Sequence, residues 1–261
     1  SLRNSGDRHR LDFNAEFPPR ICRECSLVFD ISGDPFVSSA WGGEIYLRAA
    51  ELDINALPLI VREKLPAALL GKFNLQMRSE WEQGRPVSIR GSVRVADLRL
   101  PLPGWETPLG IREAGGDLSW KARRSGWRLD VANPMIGLTG PAWAAEHLRI
   151  LYQPDETQVQ VKHLDLGDIT GFAMRLKNDL TETARNAPAK SSAMLDYWLA
   201  ARPEGAVNNF SLRVFGQGDS PDDFSLETDI STATVLPYGK YPGAQGLSGH
   251  LSLSRVTGNL R

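Results

Sequence analysis

The strongest constraint on this chain is a period-two alternation of apolar and polar residues that recurs along most of its length. In Val87-Ser88-Ile89-Arg90-Gly91-Ser92-Val93-Arg94-Val95 the odd positions are apolar or Gly and the even ones polar. The same beat runs through Leu27-Val28-Phe29-Asp30-Ile31, Phe73-Asn74-Leu75-Gln76-Met77-Arg78, Phe210-Ser211-Leu212-Arg213-Val214 and Phe224-Ser225-Leu226-Glu227-Thr228-Asp229-Ile230. Val159-Gln160-Val161-Lys162 and Leu251-Ser252-Leu253-Ser254 are shorter cases. Successive side chains of a strand point to opposite faces, so each segment describes a strand with one dry and one wet face. Antiparallel pairing suits such strands. Turn formers such as Glu82-Gln83-Gly84-Arg85 and Gln217-Gly218-Asp219 separate them.

Two stretches read as helices. Asp53 to Glu63 opens on capping residues, with Pro58 placed for a first turn and Leu57, Ile60 and Val61 sharing a face. Asp168 to Arg185 carries Phe172, Leu176 and Leu180 at four-residue spacing; Pro188 interrupts it, and Ala193 to Ala201 resumes as a second helix.

Both stretches belong to a long internal repeat. Leu52-Asp53-Ile54 precedes the first helix and Leu164-Asp165-Leu166 the second. After each comes a glycine and an alternating strand, beginning at Gly71 and at Gly205. A second strand and a Pro/Gly-rich link follow, Pro101-Leu102-Pro103-Gly104-Trp105 in one copy and Pro237 to Gly243 in the other. A third strand then opens at Gly116-Asp117-Leu118 and at Gly249-His250-Leu251. We expect a first unit at 1–150, with its short helix near 53–65. The second, at 151–261, has a longer helical insertion near 168–201 and is cut short at its C-terminal side.

A net charge of −1 and a pI of about 6.4 argue against a nucleic-acid or anionic-membrane surface built on bulk charge. No run of about 18 apolar residues is present. The polar start Ser1 to Gly6 lacks the apolar stretch of a signal peptide. Val256 to Arg261 reads as a turn entering a strand, and both ends are expected to be cuts within a longer protein.

Catalytic patterns are not found. Gly246-Leu247-Ser248-Gly249 has its second glycine one position early for a nucleophile elbow. Gly216-Gln217-Gly218 lacks the third glycine of a dinucleotide fingerprint. His9, His147, His163 and His250 are scattered, and Asp222-Asp223 sits in a turn-like loop. Cys22-Arg23-Glu24-Cys25 has no second ligand pair for zinc. Positions i and i+3 of a strand lie on opposite faces, which disfavours a disulfide there unless the chain bends. The seven tryptophans suit ordinary packing, with Trp120 and Trp127 placed to face each other across the hairpin Arg123-Arg124-Ser125-Gly126. The expectation is a protein without covalent chemistry, cofactor or metal.

Several pieces together resemble the YhdP-like proteins of the AsmA-like superfamily. They are Gly43-Glu44-Ile45-Tyr46-Leu47-Arg48 running into Leu52-Asp53-Ile54, Gly84-Arg85-Pro86-Val87, Ala201-Arg202-Pro203-Glu204-Gly205, and Pro242 to Gly249. The resemblance covers the chain from about Gly33 onward and lies in the order of elements more than in any one motif. It implies a mainly β fold, a repeated antiparallel groove made of a curled open sheet with helices at its edge or mouth. It implies a periplasmic body in a parent protein anchored in the bacterial inner membrane. The partners it implies are phospholipid acyl chains, the membranes reached through other parts of the parent, and other envelope proteins, with no nucleic acid.

The expected groove lining is Phe73, Leu75, Val87, Ile89, Val93, Val95, Leu118, Trp120, Phe210, Leu212, Val214, Phe224 and Leu226. By the residues alone the same side chains equally suit a sealed sandwich core, which would make the chain a structural repeat of the cell envelope. A carbohydrate-active β-protein would instead need clustered exposed tryptophans or two carboxylates facing each other in a cleft.

Overall fold

In the computed structural model the described residues are 1–15, 17–34, 37–58, 70–100, 108–138, 142–183, 196–216, 223–239, 242–254 and 258–260. The alternating segments all form strands. These are β1 (Leu2–Ser5), β2 (Arg8–Ala15), β3 (Glu24–Ser32), β4 (Gly42–Asp53), β5 (Leu70–Glu82), β6 (Arg85–Leu100), β7 (Leu109–Arg123) and β8 (Gly126–Gly137). They continue as β9 (Trp143–Ala144), β10 (His147–Gln153), β11 (Glu156–Asp165), β12 (Glu204–Phe215), β13 (Asp223–Val235), β14 (Ala244–Ser254) and β15 (Gly258–Leu260). They form one antiparallel sheet whose spatial order is the chain order, except that the two-residue β9 hangs on the flank of β8. Among the described residues neither β1 nor β15 pairs with a further strand, so the sheet is open.

The sheet curls because its strands carry bulges. Glu51 (φ 53°), Asp97 (φ 55°), Asn133 (φ 49°), Asn209 (φ 53°) and Thr232 (φ 49°) all take left-handed backbone, each within or beside a shift of pairing register. A bulge bends its strand and increases the local twist. All five lie in the half of their strand nearer the long connections, so the bending is concentrated along that side.

The two sides of the sheet differ accordingly. One rim is made largely of tight hairpins. Gln83 (φ 50°) and Gly84 (φ 69°) form a two-residue turn of the primed kind that matches strand twist. Arg123 pairs with Gly126 across the next turn, and Gln153 with Glu156 across another. The other rim carries the long connections and the helical elements.

Helix α1 (Leu166–Thr183) follows β11 directly. Asp165 caps it, its Oδ1 accepting from the Asp168 amide at 2.9 Å. Leu166 and Ile169 pack on buried Val161, Leu164 and Val207, so the first turns of the helix cover the sheet at this rim. A short helix α2 at 196–201 joins it: Trp198 Nε1 donates to Thr170 Oγ1 (3.1 Å), which donates to the Pro203 carbonyl (3.0 Å). The expected resumption at Ala193 begins outside the described residues.

The expected helix from Asp53 is a 3-10 turn over Ile54–Ala56, with Asp53 Oδ1 accepting from the Asn55 amide at 2.9 Å. The rest of that helix, from Leu59 on, lies outside the described residues, as do the link Pro101 to Trp105 and the turn Gln217 to Asp219.

The cysteines meet the exception for a chain that bends. Cys22 and Cys25 are bonded, because Cys22 precedes β3 in a turn rather than lying on a strand. The amides of Ile21 and Cys22 both donate to the Pro18 carbonyl. The turn is fastened to β4, with Arg23 donating to the Ala50 carbonyl and Asp53 to that of Ile21. Cys22, 1% exposed, packs there with Ile21 and Ala49.

Candidate functional site

Residues opposite one another in a ladder share a face, so the pairing registers assign each side chain to a side of the sheet. One row runs Leu2, Leu11, Phe29, Ile45, Ser79, Ile89, Trp120, Leu129, Ile150, Val159, Leu212, Leu226, Leu253, strand by strand from β1 to β14. A parallel row runs Phe13, Leu27, Leu47, Met77, Gly91, Leu118, Val131, Leu148, Val161, Phe210. Neither row contains a charged residue.

The row between them faces the other way: Asp12, Val28, Tyr46, Arg78, Arg90, Ser119, Asp130, Arg149, Gln160, Ser211. One face is therefore continuously apolar and the other carries the charge.

The single polar side chain in the first row is satisfied locally. Ser79 Oγ accepts from Trp81 Nε1 at 2.8 Å and donates to the Ile45 carbonyl at 3.4 Å. Thr228, which alternation places on the same face as Leu226, is buried and donates to the Asn208 carbonyl at 3.0 Å. These hydroxyls thus leave no unpaired group to interrupt the apolar surface.

The surface is not sealed. Leu11 is 40% exposed, Phe13 53%, Leu47 37% and Phe224 39%. Among the described residues two small clusters of buried apolar side chains lie at the rim of long connections, around Cys22 and around Val161. At the β1–β3 end, Leu2, Leu11, Phe29, Ile31 and Trp41 line an apolar hollow of about 610 Å³.

Of the residues expected to line a groove, Ile89, Trp120, Leu212 and Leu226 fall in the first row and Leu118 and Phe210 in the second. Leu75 pairs with Val93 and Phe73 with Val95 on the same face, and Val214 pairs with Phe224. Val87 has no partner, because the register shifts between Glu80–Ser88 and Trp81–Pro86.

Trp120 and Trp127 do not face each other. Trp120 lies between Ile89 and Leu129, whereas Trp127 pairs with Ala122 and stacks on Tyr152, ring centroids 5.4 Å apart. Leu129, Val131, Leu148 and Ile150 join these rows beyond the expected lining, and their segments Trp127-Arg128-Leu129-Asp130-Val131 and Leu148-Arg149-Ile150 alternate in the sequence as plainly as the others.

The polar face is laced by ion pairs. Asp30 takes Arg8 at 2.6 Å and Arg10 at 3.5 Å. Glu44 accepts from Arg78 and Tyr46, and these bonds hold its carboxyl below the usual range. Asp130 collects Arg128, Arg149 (2.8 Å) and His147 (3.3 Å). Burial would raise the Asp130 pKa, but the hydrogen bonds from Arg128 and Arg149 outweigh it and hold the carboxyl at about 2. Every carboxylate in this network is tied to a cation in a solvated ladder, the arrangement of an outer surface.

Among the described residues there is no group of three or more His, Cys, Asp or Glu that could hold a metal ion, and no helix long and apolar enough to cross a membrane. No curated protein and no solved structure matches the chain. A family model described as YhdP protein matches residues 1–261, the full length of the sequence, so the resemblance read from its segments holds and the chain belongs to the YhdP family.

Proposed function

We propose that this chain is a segment of a periplasmic, bridge-like lipid transfer protein, in which the apolar face conducts phospholipid acyl chains between the inner and outer membranes. The observation that carries the reading is the charge-free apolar surface running without a break across the ladder from β1 to β14 while remaining partly open to solvent. An acyl chain needs such a surface in place of the bilayer, at about 0.8 kcal/mol per CH₂ removed from water. The lining residues Phe73, Leu75, Val87, Ile89, Val93, Val95, Leu118, Trp120, Phe210, Leu212, Val214, Phe224 and Leu226 act as generic apolar contacts, and no covalent step is involved.

The bonded Cys22–Cys25 pair suits an oxidising compartment such as the periplasm. Fourteen consecutive strands at about 4.8 Å span roughly 60 Å, and on this proposal the segment is one part of a longer array. The repeated unit supports extension by the same rule. Gly71 opens β5 against the bulge at Asp97, and Gly205 opens β12 against the bulge at Thr232. Both pairs show the same two-against-three register shift, Leu70/Lys72 on Arg99/Ala96 and Glu204/Ala206 on Thr234/Ser231.

Photo-crosslinking in cells tests the reading. Benzoylphenylalanine placed at Leu47, Ile89, Leu212 or Leu226 of the intact protein is expected to capture phospholipid. The same probe at Arg78 or Ser119, on the polar face, is expected to capture none. Equal capture on both faces, or none at any apolar position, sinks the proposal in favour of a structural envelope repeat. Ile89→Asp and Leu212→Asp should block lipid supply to the outer membrane while the protein still folds, because the face they occupy is already half wet.

A further inference from the structure

The two rims of the apolar face differ in more than their connections. The rim of long connections is covered by α1 and by the disulfide-fastened turn. The hairpin rim carries aromatic pairs at the apolar boundary: Trp41 stacks on Trp81 at 5.5 Å, and Trp127 on Tyr152. Tryptophan and tyrosine favour such boundaries, where a ring has one apolar and one wet side.

Between these pairs lie two neighbouring hairpins, β5–β6 and β7–β8. They bear Arg85, Lys121, Arg123 and Arg124, all exposed and none in an ion pair among the described residues. Ser88 pairs with Lys121, which brings Arg85 level with the β7–β8 turn. Glu82, across the hairpin from Arg85, and Glu80, which accepts from Ser88 Oγ at 2.7 Å, are acids at the same end of the β5–β6 hairpin. On the polar face Arg8, Arg78, Arg128 and Arg149 are each bound to a carboxylate, while Arg90 and Arg94 in the middle of β6 make no ion pair among the described residues; the four hairpin cations differ in lying together at the rim, on adjacent turns.

We propose that the β5–β6 and β7–β8 hairpins form a phosphate-binding rim, which takes the headgroup of a phospholipid whose acyl chains lie on the apolar face. Arg85, Lys121 and Arg123 sit at polar-face positions of the last turn of their strands and Arg124 in the turn itself. Their long stems let the charged ends reach over the edge. Guanidinium groups meet phosphate oxygens through paired hydrogen bonds, while Trp81 and Trp127 border the glycerol level. Headgroups then leave the groove at the hairpin rim and not at the rim closed by α1.

This inference rests on the conduit reading, and the test separates the two. Two photoreactive phospholipids with a phosphate headgroup are applied to the intact protein, one with its reactive group in the headgroup and one with it at mid-chain. The headgroup probe is expected to label residues 82–86 and 121–128, and the mid-chain probe the apolar rows. Replacing the four cations together, R85Q/K121Q/R123Q/R124Q, should lower headgroup labelling about tenfold and leave mid-chain labelling in place. Diacylglycerol with the same chains should compete at least several-fold less well than the phospholipid.

Mid-chain labelling of the apolar rows with headgroup labelling on α1, or spread evenly, overturns the rim assignment and spares the conduit. Equal competition by diacylglycerol does the same. Failure of the mid-chain probe to label the apolar rows overturns both.

Discussion

Asp130, on the polar face, is 19% exposed and bound by Arg128 and Arg149. Its carboxyl is held at about 2, against an ordinary value of 3.8. A carboxylate whose folded pKa is depressed adds stability at every pH above its unfolded pKa. That stability drains away as pH falls through the interval between the two, here from about 4 down to about 2. The full shift corresponds to roughly 2 kcal/mol, and solvent screening around a partly wet pair brings the expected contribution nearer about 1 kcal/mol. Asp130→Asn should therefore be less stable than the parent at pH 7 by about that amount, and the difference should shrink between pH 4 and pH 2. Urea unfolding at pH 7, 4 and 2.5 measures it. A deficit that stays constant over this range would mean that the carboxylate charge is not what Asp130 contributes.

The strands show how much of this molecule is legible in its sequence. Where the backbone is regular, alternation gave element and face together: Ile89 to Val95 and Leu212 to Val214 lie as their pattern says. Where a bulge intervenes, parity reverses without any letter to announce it. Glu51, Asp97, Asn133, Asn209 and Thr232 adopt left-handed backbone although none is glycine. Leu164 pairs with Val207 and both are buried, which simple alternation from Val161 and Phe210 would not place on the same face. The cysteine pair was open in the sequence for a related reason: strand geometry disfavours the bond, and the fold places Cys22 in a turn where the chain bends. The long helix was readable from its four-residue spacing, but its seat on the sheet depends on Val161, Leu164 and Val207, which are brought together only by the fold.

The bulge at Thr232 also makes a testable element. A β-branched residue at φ 49° is strained, while Asn tolerates that conformation. Thr232→Asn should stabilise the protein by about 0.5–1 kcal/mol. Gly205→Ala should destabilise it, because a Cβ there would stand 2.8 Å from the Ala233 Cα and from the Thr232 carbonyl. Denaturant midpoints at constant m decide. A neutral Gly205→Ala would show that the two strands are not held at this close approach.

At the scale of the whole molecule, stability is spread along the ladder and not drawn from one core. Apart from α1, which touches β7, β9, β11 and β12, the substantial contacts join each strand to its immediate neighbours. Among the described residues there are two separate small clusters of buried apolar side chains, one on the β3–β5 side and one beneath α1. A structure held by neighbour contacts opens in local units whose free energies differ along its length. Phe29→Ala, which removes a ring from the apolar row in β3, should therefore speed amide hydrogen exchange in β2–β4 and leave β11–β13 unchanged. Exchange measured by mass spectrometry resolves the strands. An equal increase from β2 to β13 would mean that the sheet unfolds as a single cooperative body.

Local opening also suits the proposed function. A surface that must accept and pass on long apolar chains is better served by strands that yield individually than by an interior that opens only when everything does. Leu11, Phe13 and Leu47 keep such a surface half-exposed. Bound phospholipid should then slow exchange over a contiguous run of strands, because each acyl chain bridges several neighbours at a spacing of about 4.8 Å. Protection confined to the hollow beside Leu2 and Trp41 would point to a single binding pocket instead of a path.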